Sequence, residues 1–201
     1  MLKPALQEIK TAIALLLFLI VLTGIVYPLL VTLCAQLLFP WQANGSLLVK
    51  EGKPVGSMLI GQFFSSPQYF FGRPSMTPFV PYNGASSSGS NRGPSNKVLL
   101  SNIAKRIDYL KAMDLDNKHL IPVDLVTASG SGLDPEISPL AAMYQASRIA
   151  KARHVTKDVI EALIDEQIKQ RSLGFLGEPR VNVLQLNLAL DEQHGANTQK
   201  P

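Results

Sequence analysis

The chain has 201 residues, 46% of them hydrophobic and 17% charged, with a formal net charge of +4. So small a surplus, with no basic run and no aromatic ladder, excludes a nucleic-acid partner, which calls for a concentrated basic stripe. The single cysteine, Cys34, excludes an intrachain disulfide and says nothing about redox compartment.

From Thr11 to Val49 no residue is charged, and the apolar part runs from Ala12 to Phe39. A bilayer core about 30 Å thick needs roughly 20 apolar residues as helix, so this stretch is long enough to cross with tilt. A cleaved signal has a shorter apolar region and a small-x-small site, which is lacking here. A lipoprotein would need a small residue before its cysteine, and Leu33 precedes Cys34. The expected architecture is a cytoplasmic tail over 1–11, a transmembrane helix over 12–39 with its core at about 13–34, and a soluble domain over 40–201. Lys3 and Lys10 against Glu8 bias the N-terminus to the cytoplasmic side, which makes the domain extracytoplasmic and the chain a single-pass protein of the inner (plasma) membrane. Pro28 removes one helical hydrogen bond and is expected to kink the helix. Thr23 and Gly24, one turn earlier, offer a small-residue face on which another helix can pack. A solitary anchor needs no such face; a subunit of a larger membrane complex does.

Past Trp41, whose indole suits a membrane interface, Leu47–Lys50 and Pro54–Ile60 flank a short turn and read as a hairpin. Ser66-Pro67 reads as the cap and first position of a helix. Residues 73–96 are rich in Ser, Gly, Pro and Asn yet carry Phe79, Tyr82 and Arg92, so an ordered loop with a role is expected. Ser95 is placed to cap a helix reaching about Met113, and Pro122–Thr127 alternates like a strand. A second glycine-rich loop, 128–135, precedes Ser138-Pro139, which caps a third helix; Thr156 starts a fourth. Val181–Leu190 fits both periods and is assigned to helix with Asn182 as cap. The fold class expected is a single N-terminal transmembrane α-helix plus a small α+β extracytoplasmic domain.

Catalytic patterns fail one by one. Ser131 lacks the flanking glycines of a nucleophile elbow, although Ser129 and Ser131 keep an anchored extracytoplasmic serine hydrolase as the alternative function. His119, His154 and His194 have no metal-ligand spacing and read as surface residues, so no metal site is expected. Neither glycine-rich loop carries a phosphate cradle.

Several segments together resemble one family. They are Thr23-Gly24-Ile25-Val26-Tyr27-Pro28-Leu29, Val55-Gly56-Ser57, Leu59-Ile60-Gly61-Gln62, Tyr69-Phe70, Arg73-Pro74-Ser75 and Gly89-Ser90-Asn91. The longest runs from Asp124 to Ser138, followed by Gln145, Arg148-Ile149-Ala150 and Gly177 to Leu184. In this order, over about residues 11–190, they resemble the C subunit of the bacterial Kdp potassium-transporting P-type ATPase. The resemblance implies a non-catalytic accessory subunit of a high-affinity potassium-uptake complex. Its partners would be a channel-like potassium-selecting subunit, a P-type ATPase subunit that handles ATP, and a small peptide subunit. It implies support for assembly, and a raised nucleotide affinity of the pump. No intrinsic cofactor is expected; were nucleotide touched directly, Gln145 and Arg148 would be the candidates. Arg73, Asn91, Ser129, Ser131 and Asp134 are expected to hold loops together or to meet a partner.

Overall fold

The computed structural model describes residues 2–194, with side chains described over 6–193. The side chains of Lys3 and His194 lie outside that range. The chain forms two compact units, residues 1–47 and 48–201.

In the first unit α1 (Leu2–Val21) continues through a π-helical turn (Leu22–Val26) into α2 (Tyr27–Leu38), and a one-turn α3 (Pro40–Ala43) follows. Helix therefore occupies residues 2–11, which the sequence suggested as a tail. Leu6–Leu38 is long and apolar enough to cross a membrane, and its side chains are exposed. The proline irregularity takes the form of the π-turn: the Tyr27 N–H donates to the Leu22 carbonyl, five residues back. Pro28 has no N–H and its ring crowds the preceding turn, so widening that turn relieves the clash without breaking the helix. The Thr23 hydroxyl donates to the Leu19 carbonyl at 2.7 Å. A side chain at Gly24 would meet nothing within 4 Å, which leaves that face open.

At the boundary of the second unit stands a hairpin of β1 (Leu47–Lys50) and β2 (Lys53–Ser57). The second strand stops at Ser57 rather than Ile60, because the Ser57 hydroxyl accepts the Leu59 N–H at 3.1 Å and turns the chain. Ser66-Pro67 forms a turn closed by Tyr69 N–H to Ser66 carbonyl at 3.1 Å, where a helix was expected. Helix α4 (Lys97–Met113) is capped by Asn96 and not Ser95; the Asn96 Oδ1 accepts from Val98 N at 2.9 Å and Leu99 N at 3.4 Å. Val123–Leu125 is a 3-10 turn in place of the expected strand. Pro122 offers its carbonyl to the Leu125 N–H, and the Thr127 hydroxyl returns to the Val123 carbonyl at 2.7 Å, so local bonds consume the groups a sheet would need.

β3 (Glu136–Ile137) pairs antiparallel with β4 (Val181–Asn182), with Ile137 opposite Val181. Between them lie α5 (Pro139–Arg153) and α6 (Lys157–Gln167); α7 (Val183–His194) follows β4. The Ser138 hydroxyl caps α5 through Ala141 N at 3.1 Å, and the Asn182 Oδ1 caps α7 through Gln185 N at 3.1 Å. Helix α5 buries Ala141, Ala142, Ala146 and Ala150, short side chains that let α6 approach with Ile160, Leu163 and Ile164. Together with Leu186 and Leu190 of α7 they form the core. A helix that strongly apolar on one side, packed on a helix with an alanine face, draws its stability from tertiary burial.

A non-helical segment, 67–71, runs from the exposed Pro67 into this core, with Phe70 and Phe71 fully enclosed. Main chain entering a core must find hydrogen-bond partners, and among the described residues no strand pairs with it. Side chains supply them. Asn187 accepts the Phe70 N–H at 2.8 Å and donates to the Phe70 carbonyl at 3.1 Å. Gln145 does the same for Phe71, at 2.8 and 3.1 Å. Arg148 donates to the carbonyls of Pro67 and Tyr69, and Arg153 to that of Gln68 at 2.9 Å. All five carbonyls are thus met by side chains of α5 and α7. Asn187→Leu keeps the volume but strands two buried main-chain groups, each costing about 1–3 kcal/mol. Denaturant titration of the full chain in detergent is expected to show a loss of at least about 2 kcal/mol; an unchanged midpoint would mean that water replaces the amide.

Candidate functional site

Beyond Phe71 the chain enters the first glycine-rich loop, which folds against the second. Arg73 leads this contact. Its Nη1 donates to Asp134 Oδ2 and its Nη2 to the Ala128 carbonyl, both at 3.2 Å. The other oxygen of Asp134 accepts the Glu136 N–H at 3.0 Å, so one carboxylate ties the loop to the strand that follows. The Ser75 hydroxyl donates to the Gly132 carbonyl at 2.7 Å and accepts the Tyr82 N–H at 2.9 Å. The Tyr82 hydroxyl closes the turn by donating to the Arg73 carbonyl at 2.6 Å. Farther along, Ser88 N–H donates to the Ser131 carbonyl at 2.9 Å. Two glycines permit the approach. Gly132 has φ of +70° and a Cβ there would lie 2.5 Å from the Ser88 carbonyl oxygen; at Gly89 it would lie 2.6 Å from that of Gly130.

Inside this frame sits a tight turn, Thr77–Asn83. The Thr77 hydroxyl donates to the Val80 carbonyl at 2.7 Å and accepts the Asn83 N–H at 3.1 Å; Asn83 Nδ2 donates to the Pro78 carbonyl at 3.3 Å. At its tip Phe79 adopts φ of +70° with 98% of its surface exposed, and Val80 beside it is exposed as well. A bulky residue in the left-handed region is strained, and an exposed phenyl ring gains nothing by burial within the chain.

The electrostatics are those of buried cations. Arg148 stacks over the Phe71 ring at 4.0 Å, and burial brings its pKa down to about 10. Arg106 lies 5.2 Å from the Tyr109 ring centroid and 5.9 Å from that of Phe71, its Nε donating to the Leu125 carbonyl at 3.1 Å; burial lowers its pKa too. Burial pushes the Tyr82 hydroxyl up to about 12, with Arg106 opposing the rise. Arg153 pairs with Asp191 at 2.6 Å on α7.

Of the residues singled out in the sequence, Arg73, Ser129, Ser131 and Asp134 come together at the loop pair. Ser129 is buried with its hydroxyl accepting the Gly132 N–H at 2.9 Å; the exposed Ser131 hydroxyl accepts the Leu133 N–H at 3.1 Å. Among the described residues neither has a hydrogen bond to a histidine, and the hydrolase alternative finds no support. Asn91 stands exposed with φ of +49°, a conformation asparagine tolerates. Gln145 and Arg148 lie in the core with their polar groups turned to the 67–71 main chain and to each other, Arg148 Nη2 to Gln145 Oε1 at 2.8 Å. Among the described residues no group of three or more His, Cys, Asp or Glu side chains could hold a metal ion. A groove of about 900 Å³ between the 116–122 loop, α5 and α6 brings no triad together, and Lys157 closes on Glu161 at 2.7 Å. Asn187 and Arg106 were not anticipated; a lone asparagine within the apolar run Leu184–Leu190 is the signal that marks the first.

Residues 9–192 match the sequence model of the family described as KdpC, K+-transporting ATPase, c chain. A protein of Herpetosiphon aurantiacus named potassium-transporting ATPase KdpC subunit is 57% identical over 183 residues, 91% of this chain and 95% of its own length. One of the same name from Methylococcus capsulatus is 56% identical over 185 residues, 92% and 97% of the two chains. Another from Herminiimonas arsenicoxydans is 53% identical over 188 residues, 94% and 99%.

Asp134 separates charge from shape at this site. Asp134→Asn keeps an oxygen for the Glu136 N–H and loses only a partly exposed ion pair, a cost of about 1 kcal/mol or less. Asp134→Ala loses both, about 2 kcal/mol in all. Denaturation midpoints are expected in the order wild type, Asn, Ala; equal losses in the two variants would assign the whole effect to the charge.

Proposed function

The chain belongs to the KdpC family of K+-transporting ATPase c chains, and from that premise we propose that it acts as a non-catalytic accessory subunit which docks onto and stabilises its partner subunits. In this role the apolar helix spans the inner membrane once, with the N-terminus cytoplasmic and residues beyond about 40 outside. The small face of Thr23 and Gly24 packs on a neighbouring helix of the channel-like potassium-selecting subunit. The soluble domain meets the outer surface of the same complex. A P-type ATPase subunit carries out the ATP chemistry, and the small peptide subunit completes the assembly. Any rise in the pump's ATP affinity follows indirectly from the assembled state, because Gln145 and Arg148 have their polar groups committed to the main chain of 67–71.

One observation carries the docking role: the hydrogen-bonded 77–83 turn holds Phe79 strained and 98% exposed. Exposed, rigidly held aromatics are the residue type that anchors protein interfaces. An asparagine at this position removes the ring and also suits the left-handed backbone better than phenylalanine. Phe79→Asn is therefore expected to leave the stability of the isolated chain equal or higher while lowering co-purification of the ATPase and channel-like subunits. Gly24→Leu, favourable in lipid, is expected to insert normally and weaken co-purification too. Pull-down of the tagged chain from membranes, with potassium-stimulated ATPase activity of the eluate, checks both. Full recovery of the complex with the two substitutions combined would sink the docking role.

A further inference from the structure

We propose that the small cleft between Arg73 and Arg106 is a binding site for a single oxyanion, a carboxylate or a phosphate. The cleft measures about 200 Å³ and is walled by Phe63, Phe64, Phe71 and Pro81, with Arg73 and Arg106 among its lining residues. Two cationic donors there, Nη1 and Nη2 of Arg106, have no partner among the described residues. Arg73 spends Nη1 and Nη2 on Asp134 and Ala128, and its Nε is sealed from solvent, so it contributes charge to the cleft but no donor. Arg106 spends Nε on the Leu125 carbonyl, and neither Nη1 nor Nη2 has a bond. No carboxylate is in contact with Arg106; two aromatic rings flank it instead. Asp134 balances Arg73, so the cleft keeps one uncompensated positive charge.

Guanidinium forks match the two oxygens of a carboxylate or phosphate, and apolar walls strengthen the attraction by excluding water. The volume is below the about 300–1,000 Å³ of drug-sized ligand pockets, so one oxyanion group fits and a whole nucleotide does not. The chemistry is the same whether the oxyanion is free in solution or is the acidic side chain of a neighbouring subunit. The site stands on these residues alone and does not depend on the docking role.

Phenylglyoxal footprinting of the full chain in detergent, read by peptide mass spectrometry, tests the site. Acetate and inorganic phosphate are each compared with chloride at equal ionic strength. Modification of Arg106 is expected to slow about tenfold once either anion fills the site to about nine-tenths, while the surface residue Arg171 reacts at an unchanged rate. Arg106→Lys is expected to remove the protection that the anions give Arg73. In the purified complex, protection of Arg106 without added anion identifies a partner's carboxylate as the occupant; protection that appears only on adding anion identifies a free one. Equal Arg106 reactivity in chloride, acetate and phosphate in the isolated chain would overturn the proposal.

Discussion

The need to satisfy a buried main chain without a neighbouring strand organises the second unit. Residues 67–71 run from the surface into the core, and the five carbonyls are met by Arg148, Arg153, Asn187 and Gln145. A β-ladder would tolerate many side chains on its partner strand. Here each bond depends on one side chain of the right length on the right helix turn. Gln145 and Arg148 stand three residues apart on α5, which places them on one face. Removing one of them leaves polar groups inside an apolar core, the most expensive position for them. The same constraint fixes α5 relative to α7, because both helices grip one segment.

Everything downstream inherits its position from that grip. Phe71 leads into Gly72 and Arg73, so a clamped Phe71 delivers the guanidinium of Arg73 to Asp134 and Ala128. The two glycine-rich loops then lock through Ser75, Ser88 and Gly132. The strained Phe79 is held on this frame, and strain of that kind persists only where surrounding bonds over-determine the backbone. A rigid, hydrogen-bonded surface of this kind is suited to docking on a partner, the role proposed above.

What could be read from the residues follows the range of the forces involved. The long apolar run, the caps Ser138 and Asn182, and the α+β character depend on neighbours within a few positions, and the structure agrees with each. Pro122–Thr127 alternates as a strand does, yet Asp124 turns to the Ser138 N–H at 2.7 Å and the local turn wins. Ser66-Pro67 has the chemistry of a helix start, but after one turn the chain is held out of a helix by side chains about 80 to 120 positions away. The glycines and serines of both loops were visible; their closing on each other was not, since that contact spans more than forty residues. Gln145 and Arg148 stood out by resemblance, and only the packed core shows what their polar groups hold.

Hydrogen exchange at two amides tests the central claim most directly. If side-chain amides of Gln145 and Asn187 do the work of a strand, the N–H groups of Phe71 and Phe70 exchange only when the whole unit unfolds, with a protection free energy equal to that from denaturation. Residues flanked by turns, as these are, would otherwise exchange through local opening. Rapid exchange of both amides under native conditions, with α5 and α7 still protected, would contradict the account.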